Sequence, residues 1–361
     1  MSICLESKGK DMKKYLLGES GFFYKTNLHC HSDKSDGKVS VNQMKEIYKK
    51  KGYSIVAFSD HDALHCNYDE LTDENFLALT AYEISIRNDN ESIPHAFRKI
   101  QDLNLISKKP YNMIQVGYHP ASVQWLMDQG KMTQEEVDSI QYAGELRDMC
   151  YYPANINKII KSANENDFLV MINHPSWNLL NYNDYGCYEG AWAVEVYNHG
   201  CYQSGLIDNE YVYDDLLRSG KRLYCVASDD CHDASIPENI RGHIMLEANK
   251  LEYASVIEAL ENGKFYSTTG PEIYEMYYED GYMHIKCSPC VDISMTTLGR
   301  RGVRLEAPEG QYITNAKFLI APELYGLVRF RLTDIKGRHA WTNAYDVDKL
   351  DEVFEARRVI L

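Results

Sequence analysis

Six short stretches of this 361-residue chain place His, Asp or Glu where an apolar run stops. In order they are His29-Cys30-His31, Ser35-Asp36-Gly37, Asp60-His61-Asp62, Tyr82-Glu83-Ile84, Asn173-His174-Pro175 and Asp229-Asp230-Cys231-His232. Imidazole and carboxylate together are the donor set of divalent metal ions, and metal ions in a shared pocket point to hydrolysis. The spacing carries the argument further. Residues i and i+2 on extended backbone point the same way, so His29 and His31 can reach one ion, and Asp230 and His232 have the same geometry. Cys30 and Cys231, lying between those residues, then face the opposite side as packed thiols.

The apolar runs that must position these residues are short. Ser54-Ile55-Val56-Ala57-Phe58, Phe76-Leu77-Ala78-Leu79, Phe168-Leu169-Val170-Met171-Ile172 and Leu223-Tyr224-Cys225-Val226-Ala227 each read as a strand. Residues 22–28 read as a first strand delivering His29 and His31, and Trp192 to Tyr197 as a further one. Ser40 is an expected N-cap for a helix through Lys50, with Val41, Met44, Ile47 and Tyr48 on one face and Gly52 as its stop. Further helices are expected over Asn155 to Asn166, Glu210 to Arg218 and Glu252 to Glu261. Such alternation argues for a parallel α/β sheet, open or closed into a barrel whose strand C-termini meet at one site. After Gly270-Pro271 the pattern changes to period two, as in Met283-His284-Ile285-Lys286-Cys287 and Val328-Arg329-Phe330-Arg331-Leu332. The expected organisation is an N-terminal extension over 1–20, the α/β unit over 21–270 and a small antiparallel β domain over 271–361.

Composition bounds the functions. The chain is 44% hydrophobic and 25% charged, an ordinary globular balance. No apolar run approaches the roughly 18 residues of a membrane span. Met1 to Glu19 lacks an apolar core and carries Lys8, Lys10, Asp11, Lys13 and Lys14, unlike a secretory signal. The ten scattered cysteines then read as reduced thiols and the compartment as cytoplasmic. A formal net charge of −15 repels nucleic-acid duplexes at long range. It does not exclude a phosphorylated small molecule, because bound cations make a pocket locally positive.

Taken together, His29-Cys30-His31 through Ser35-Asp36-Gly37, Ser59-Asp60-His61-Asp62, Tyr82-Glu83, Asn173-His174-Pro175 and Ser228-Asp229-Asp230-Cys231-His232 resemble the PHP (polymerase and histidinol phosphatase) superfamily, in order and spacing, from about Lys25 to Gly270. The match looks closest to stand-alone phosphoesterases near the carbaryl-hydrolase branch, in which Phe265-Tyr266-Ser267-Thr268-Thr269-Gly270-Pro271 and a terminal β module also recur. The resemblance implies a distorted (β/α)7 barrel with two or three divalent ions, zinc, manganese or iron. It implies one site from His29, His31, Glu83 and Asp230, a second bridged by Glu83 and held with His174, and a third from Asp36, His61 and His232. One family ligand is usually a histidine shortly after the glutamate. Asp102 stands at that place, with His95 as a nearby alternative. Asp60 and Asp62 flank His61 and are expected to orient metal-bound imidazoles. His199 is a candidate for leaving-group protonation, His119 a strand-end residue near the pocket, and Arg147 and Arg241 are cations that the sequence alone does not place. The implied activity is metal-dependent hydrolysis of a small phosphorylated metabolite or nucleotide. The alternative is hydrolysis of carboxylic or carbamate esters with the same ions.

Overall fold

The computed structural model describes residues 13–19, 21–88, 90–321 and 326–350. Lys8, Lys10 and Asp11 of the N-terminal segment lie outside the described residues. The chain divides into two compact units. The larger holds Gly21–Gly270 and Ala340–Asn343; the other holds Met1–Ser20, Pro271–His339 and Ala344–Leu361.

The larger unit is built on one mixed sheet flanked by helices. Its strands in chain order are β1 (Phe22–Asn27), β2 (Ile55–Phe58), β3 (Leu77–Arg87), β4 (Ile100–Ser107), β5 (Phe168–Ile172), β6 (Ala193–Asn198), β7 (Tyr224–Ser228), β8 (His243–Ala248), β9 (Phe265–Thr268) and β10 (His339–Thr342). The spatial order is β10-β9-β8-β1-β2-β3-β4-β5-β6-β7. The steps β1–β2–β3 and β5–β6–β7 are parallel. Strand β4 lies antiparallel to both β3 and β5, and β8 is antiparallel to β1. The uniform parallel alternation expected from the sequence therefore breaks at Ile100–Ser107. Residues 88–99 join β3 to β4, and their helical part among the described residues is the short turn His95–Phe97, whereas a parallel return usually needs a full helix in its crossover.

Strands β2 and β3 are buried on both faces. Ile55, Ala57, Leu77 and Leu79 join Leu28, Met171, Val226, Leu246 and Phe265 in one core cluster. Val56, Phe58 and Ala78 pack on the other side against Val41, Met44 and Tyr48 of the helix Val41–Lys50. That helix starts where Ser40 accepts from the Gln43 amide and Gln43 reciprocates, and it carries Lys49 and Lys50 in its last turn. Burying side chains of this size contributes about 1.5–3 kcal/mol each, which anchors the segments leading to the site residues.

At the site end, the segments that follow β1 and β7 run side by side. His31 N donates to Cys231 O and Asp230 N to His29 O, each at 3.0 Å, forming a parallel bridge between Cys30 and Cys231. Asn27 reinforces it, accepting from Asp229 N at 3.1 Å and donating to His29 O at 2.9 Å.

The smaller unit is antiparallel. Lys14–Leu17, Ile273–Glu279, Tyr282–Cys290 and Ile313–Leu319 form one sheet in that order. Val303–Glu306, Asp292–Thr297 and Leu327–Thr333 pair in succession. Part of the stretch read as an N-terminal extension is thus a strand of this unit.

Candidate metal centre

Five imidazoles and two carboxylates from beyond the ends of β1, β2, β5 and β7 converge with Glu83 of β3. Three groups of donor atoms each lie within 4.8 Å of one another: His29, Glu83 and His174; His29, His31 and Asp230; and His31, Asp36, His61 and His232. His31 thus belongs with Asp36, His61 and His232 as well as with Asp230. The first two groups are deeply buried, with Glu83 only 1% exposed, whereas Asp36 and His232 are 42% and 41% exposed at the side chain.

Glu83 is the hub. Its Oε2 lies 3.3 Å from His29 Nε2, 3.2 Å from His31 Nε2 and 3.3 Å from His61 Nδ1, and its Oε1 lies 3.5 Å from His174 Nε2. Asn173 Nδ2 donates to Oε1 at 2.6 Å and fixes the carboxylate plane. Contrary to the strand-end pattern of the other stretches, Glu83 sits in mid-strand, and β3 runs on to Arg87 because Ile84 and Ile86 pair with β4. Asp230 Oδ1 lies 3.3 Å from His29 Nε2 and 3.1 Å from His31 Nε2.

The donor set fits metal ions. His31 Nδ1, His174 Nδ1 and Asp230 Oδ1 are buried and make no well-directed hydrogen bond, a costly arrangement for polar atoms that have no ligand to meet. Burial works against charge on the imidazoles, yet the carboxylates prevail. His31 is raised to about 10 by hydrogen bonding to Asp230 and Glu83, and His174 to about 9 through Glu83 and Asp230. Conversely, despite burial, the surrounding imidazoles hold Glu83 and Asp230 far below the usual carboxylate range. Such mutual stabilisation is what closely set opposite charges produce. Backbone strain gathers here too. Asp62, His174 and Asp230 have φ of 57°, 23° and 50°, conformations that non-glycine residues adopt at a cost.

Glu195, which sequence reasoning passed over, locks the deep groups. It is fully buried on β6. His29 Nδ1–H donates to its Oε1 at 2.8 Å, and Ser228 Oγ donates to the same oxygen; His174 N and Asn198 Nδ2 donate to Oε2 at 2.8 and 3.0 Å. Because a carboxylate only accepts, the His29 proton sits on Nδ1 and its Nε2 lone pair faces the centre. The available signal was a glutamate inside the apolar run Ala193-Val194-Glu195-Val196.

Asp60 acts on the backbone rather than on imidazoles. It accepts from Ser32 N and Oγ at 2.8 and 2.7 Å and from Ser35 N and Oγ at 3.2 and 2.7 Å, pinning the loop that carries Asp36. Asp62 holds Arg147, whose Nη2 donates to it at 3.0 Å and to Ser85 O at 3.2 Å. Asp102 lies beside the centre without joining a group. It accepts from Ser85 Oγ at 2.6 Å, its Oδ2 is 4.0 Å from His174 Nδ1, and burial with the Glu83 charge raises it to about 6. The alternative, His95, is exposed on its short turn.

His199 departs from the role expected for it. It is buried, its Nδ1 is 2.7 Å from Tyr197 OH and its Nε2 donates to Glu238 O at 2.7 Å. With both ring nitrogens engaged, it tethers β6 to the turn at Pro237–Asn239 instead of presenting a proton to the centre. His119 caps the helix Pro120–Asp128, accepting from Ala121 N at 3.1 Å.

A cavity of about 460 Å³ opens onto the outer group. Asp36 and His61 form one side, and Arg147, Arg87, Trp125 and Met149 are among the residues lining the rest.

No family model matches the chain, and no curated protein matches it. Solved structures do. One is a two-domain protein from Bacteroides vulgatus containing a predicted PHP-like metal-dependent phosphoesterase, at 12% identity over 90% of this chain and 96% of that one, with a TM-score of 0.42. A second is a candidate metal-dependent phosphoesterase from Bifidobacterium adolescentis, at 17% identity over 59% and 89%, TM-score 0.37. A third is an amidohydrolase from Chromobacterium violaceum with bound sulfate and no metal, at 12% identity over 66% and 96%, TM-score 0.36.

Proposed function

We propose that this chain is a metal-dependent phosphoesterase, hydrolysing a small phosphorylated metabolite or nucleotide at a di- or trinuclear centre. His29, His31, Asp36, His61, Glu83, His174, Asp230 and His232 hold the ions, with Asp102 beside them; zinc, manganese and iron all suit oxygen and imidazole donors without thiolate. When bound, the ions lower the pKa of a coordinated water and neutralise developing oxyanion charge. The protein's own work is positioning. Glu195 fixes the His29 tautomer, Asn173 fixes the Glu83 carboxylate and Asp60 fixes the loop bearing Asp36.

The observation that carries the phosphoester reading is cationic surface beyond the ions. Arg147 lines the cavity beside Asp36 and His61, and so does Arg87, which forms no ion pair with the described residues. Asp62 offsets only the first of these guanidiniums. A planar fork of N–H donors suits a phosphoryl group and gives much less to a neutral carbamate or carboxylic ester.

The reading extends to a cytoplasmic protein with a small-molecule partner, neither nucleic-acid duplex nor membrane. No helix among the described residues is long and apolar enough to cross a bilayer.

The deciding measurement compares an aryl phosphate with the matching aryl acetate, with the same metal and pH. The phosphate turns over faster, and inorganic phosphate inhibits competitively. Faster cleavage of the acetate, with no inhibition by phosphate, replaces this reading with the carboxylic or carbamate ester hydrolase.

A further inference from the structure

We propose that the cavity beside the outer metal group is the subsite for the organic part of the substrate, and that it selects phosphomonoesters whose alcohol is aromatic or apolar. The inference rests on the phosphoesterase reading and deepens it. The cavity shares Asp36 and His61 with the centre, so a phosphoryl group held there must direct its ester oxygen and the attached alcohol either into this space or out to solvent.

The rest of the cavity lining has a mixed character. Trp125 and Met149 supply apolar surface. Trp125 comes from the helix Pro120–Asp128, whose Val123 and Leu126 are buried in a cluster with Tyr118, Ala63 and Met132. The indole packs against that cluster and is only partly exposed, so it presents a wall held from behind rather than a mobile surface group. Met149 Sδ lies 3.5 Å from Arg147 Nε, and that guanidinium is itself tied to Asp62 and Ser85. A fixed indole and a thioether beside a fixed guanidinium form a slot for a flat or apolar group whose anionic end faces the arginines and the ions. At about 460 Å³, the space falls within the range of small-ligand sites. A short hydrophilic alcohol would leave this surface wet and gain nothing from it.

Two non-hydrolysable ligands isolate the claim. Binding of 2-phenylethylphosphonate and of ethylphosphonate is measured by calorimetry on the full-length, metal-loaded protein, alongside kcat/KM for the corresponding phosphate esters, whose leaving alcohols have similar acidity. The phenylethyl ligand binds about tenfold more tightly, in line with one aromatic contact plus its buried area. Trp125→Ala brings the ratio of the two affinities close to one, and Trp125→Phe restores most of it. Since Trp125→Ala also loosens the helix packing, Met149→Ala serves as the second variant and lowers the same ratio by a smaller factor. Equal binding of both ligands to the wild-type protein, or a ratio unmoved in folded Trp125→Ala, overturns the subsite while leaving the phosphoesterase reading in place. Failure of both phosphonates to bind, together with no turnover of either ester, overturns the two together.

Discussion

At Glu195 a single buried carboxylate accepts four hydrogen bonds, from His29, Ser228, His174 and Asn198. Every partner is a donor. Glu195→Gln therefore turns an amide N–H₂ toward a donor on one side or the other, either against His29 and Ser228 or against His174 and Asn198. The expected result is a 10- to 100-fold loss of metal affinity with far-ultraviolet circular dichroism unchanged, since partners of this kind orient the ligands they touch. Titration with zinc or manganese checks it, and wild-type affinity in the variant would falsify the positioning role. The contrast with Glu83 shows what the sequence made legible. Glu83 was visible because it follows a recognisable run next to Tyr82 and fits an ordered set of motifs. Glu195 belongs to no such set, and a lone glutamate in a strand reads as an edge or surface residue until its four donors are seen. His199 failed for the complementary reason. A histidine just past a strand resembles its neighbours in type and place, and only the positions of Tyr197 and Glu238 reveal that both its nitrogens are engaged.

Elements bring these residues together through backbone geometry that residue types only partly encode. The helices and parallel strands could be read from periodicity because their faces are uniformly buried or amphipathic, as in Val41–Lys50 and Ile55–Phe58. The antiparallel course of β4 could not, because direction depends on the connection rather than on the strand's own composition. The loop after β1 is the clearest case of an element that serves the site. It turns back so tightly that a Cβ on Gly37 would sit 2.3 Å from His31 O and 2.7 Å from Ser32 C. Backbone atoms cannot yield cheaply, so Gly37→Ala must push the loop outward and carry Asp36 away from His31, His61 and His232. Of that stretch the deep groups use only His29 and His31, which precede the turn at Ser32–Gly37. The variant is thus expected to lose its most weakly held ion, retain the others and fall at least tenfold in kcat/KM. Metal stoichiometry by atomic emission after dialysis tests this. Unchanged stoichiometry and activity within a factor of two would mean that the outer group is not part of the working centre.

For the whole molecule, the decisive feature is the concentration of titratable groups in one place. Five of the chain's 12 histidines lie in the centre, within a protein whose formal net charge is −15. Without metal, folding depends on protons there. His31 and His174 are raised from an ordinary 6.5 to about 10 and about 9. A group raised on folding contributes stability that is complete below its unfolded value and lost as pH climbs through its folded one. Two buried carboxylates act in the same direction at lower pH. Burial lifts Asp102 to about 6 and Asp229 to about 7, each from 3.8, so their protonated forms favour the folded state until pH passes those values. Asp36, Glu83 and Asp230 are depressed and oppose this trend only in acid, below their ordinary values of 3.8, 4.5 and 3.8. Burial lowers His65, His199 and His243 below the ordinary 6.5, so these imidazoles add stability as pH rises towards that value and offset the two carboxylates there. The metal-free protein should therefore lose stability from about pH 7 to pH 10. Metal binding runs the other way, because the ions need unprotonated imidazoles and displace those protons on entry, which raises affinity by about tenfold per pH unit for each proton released. The gap between the melting temperatures of the metal-loaded and chelator-treated protein is then expected to widen from pH 6.5 to pH 9, at fixed free metal concentration. A gap that stays constant or narrows over that interval would show that the imidazoles of the centre are not the groups that metal and protons share.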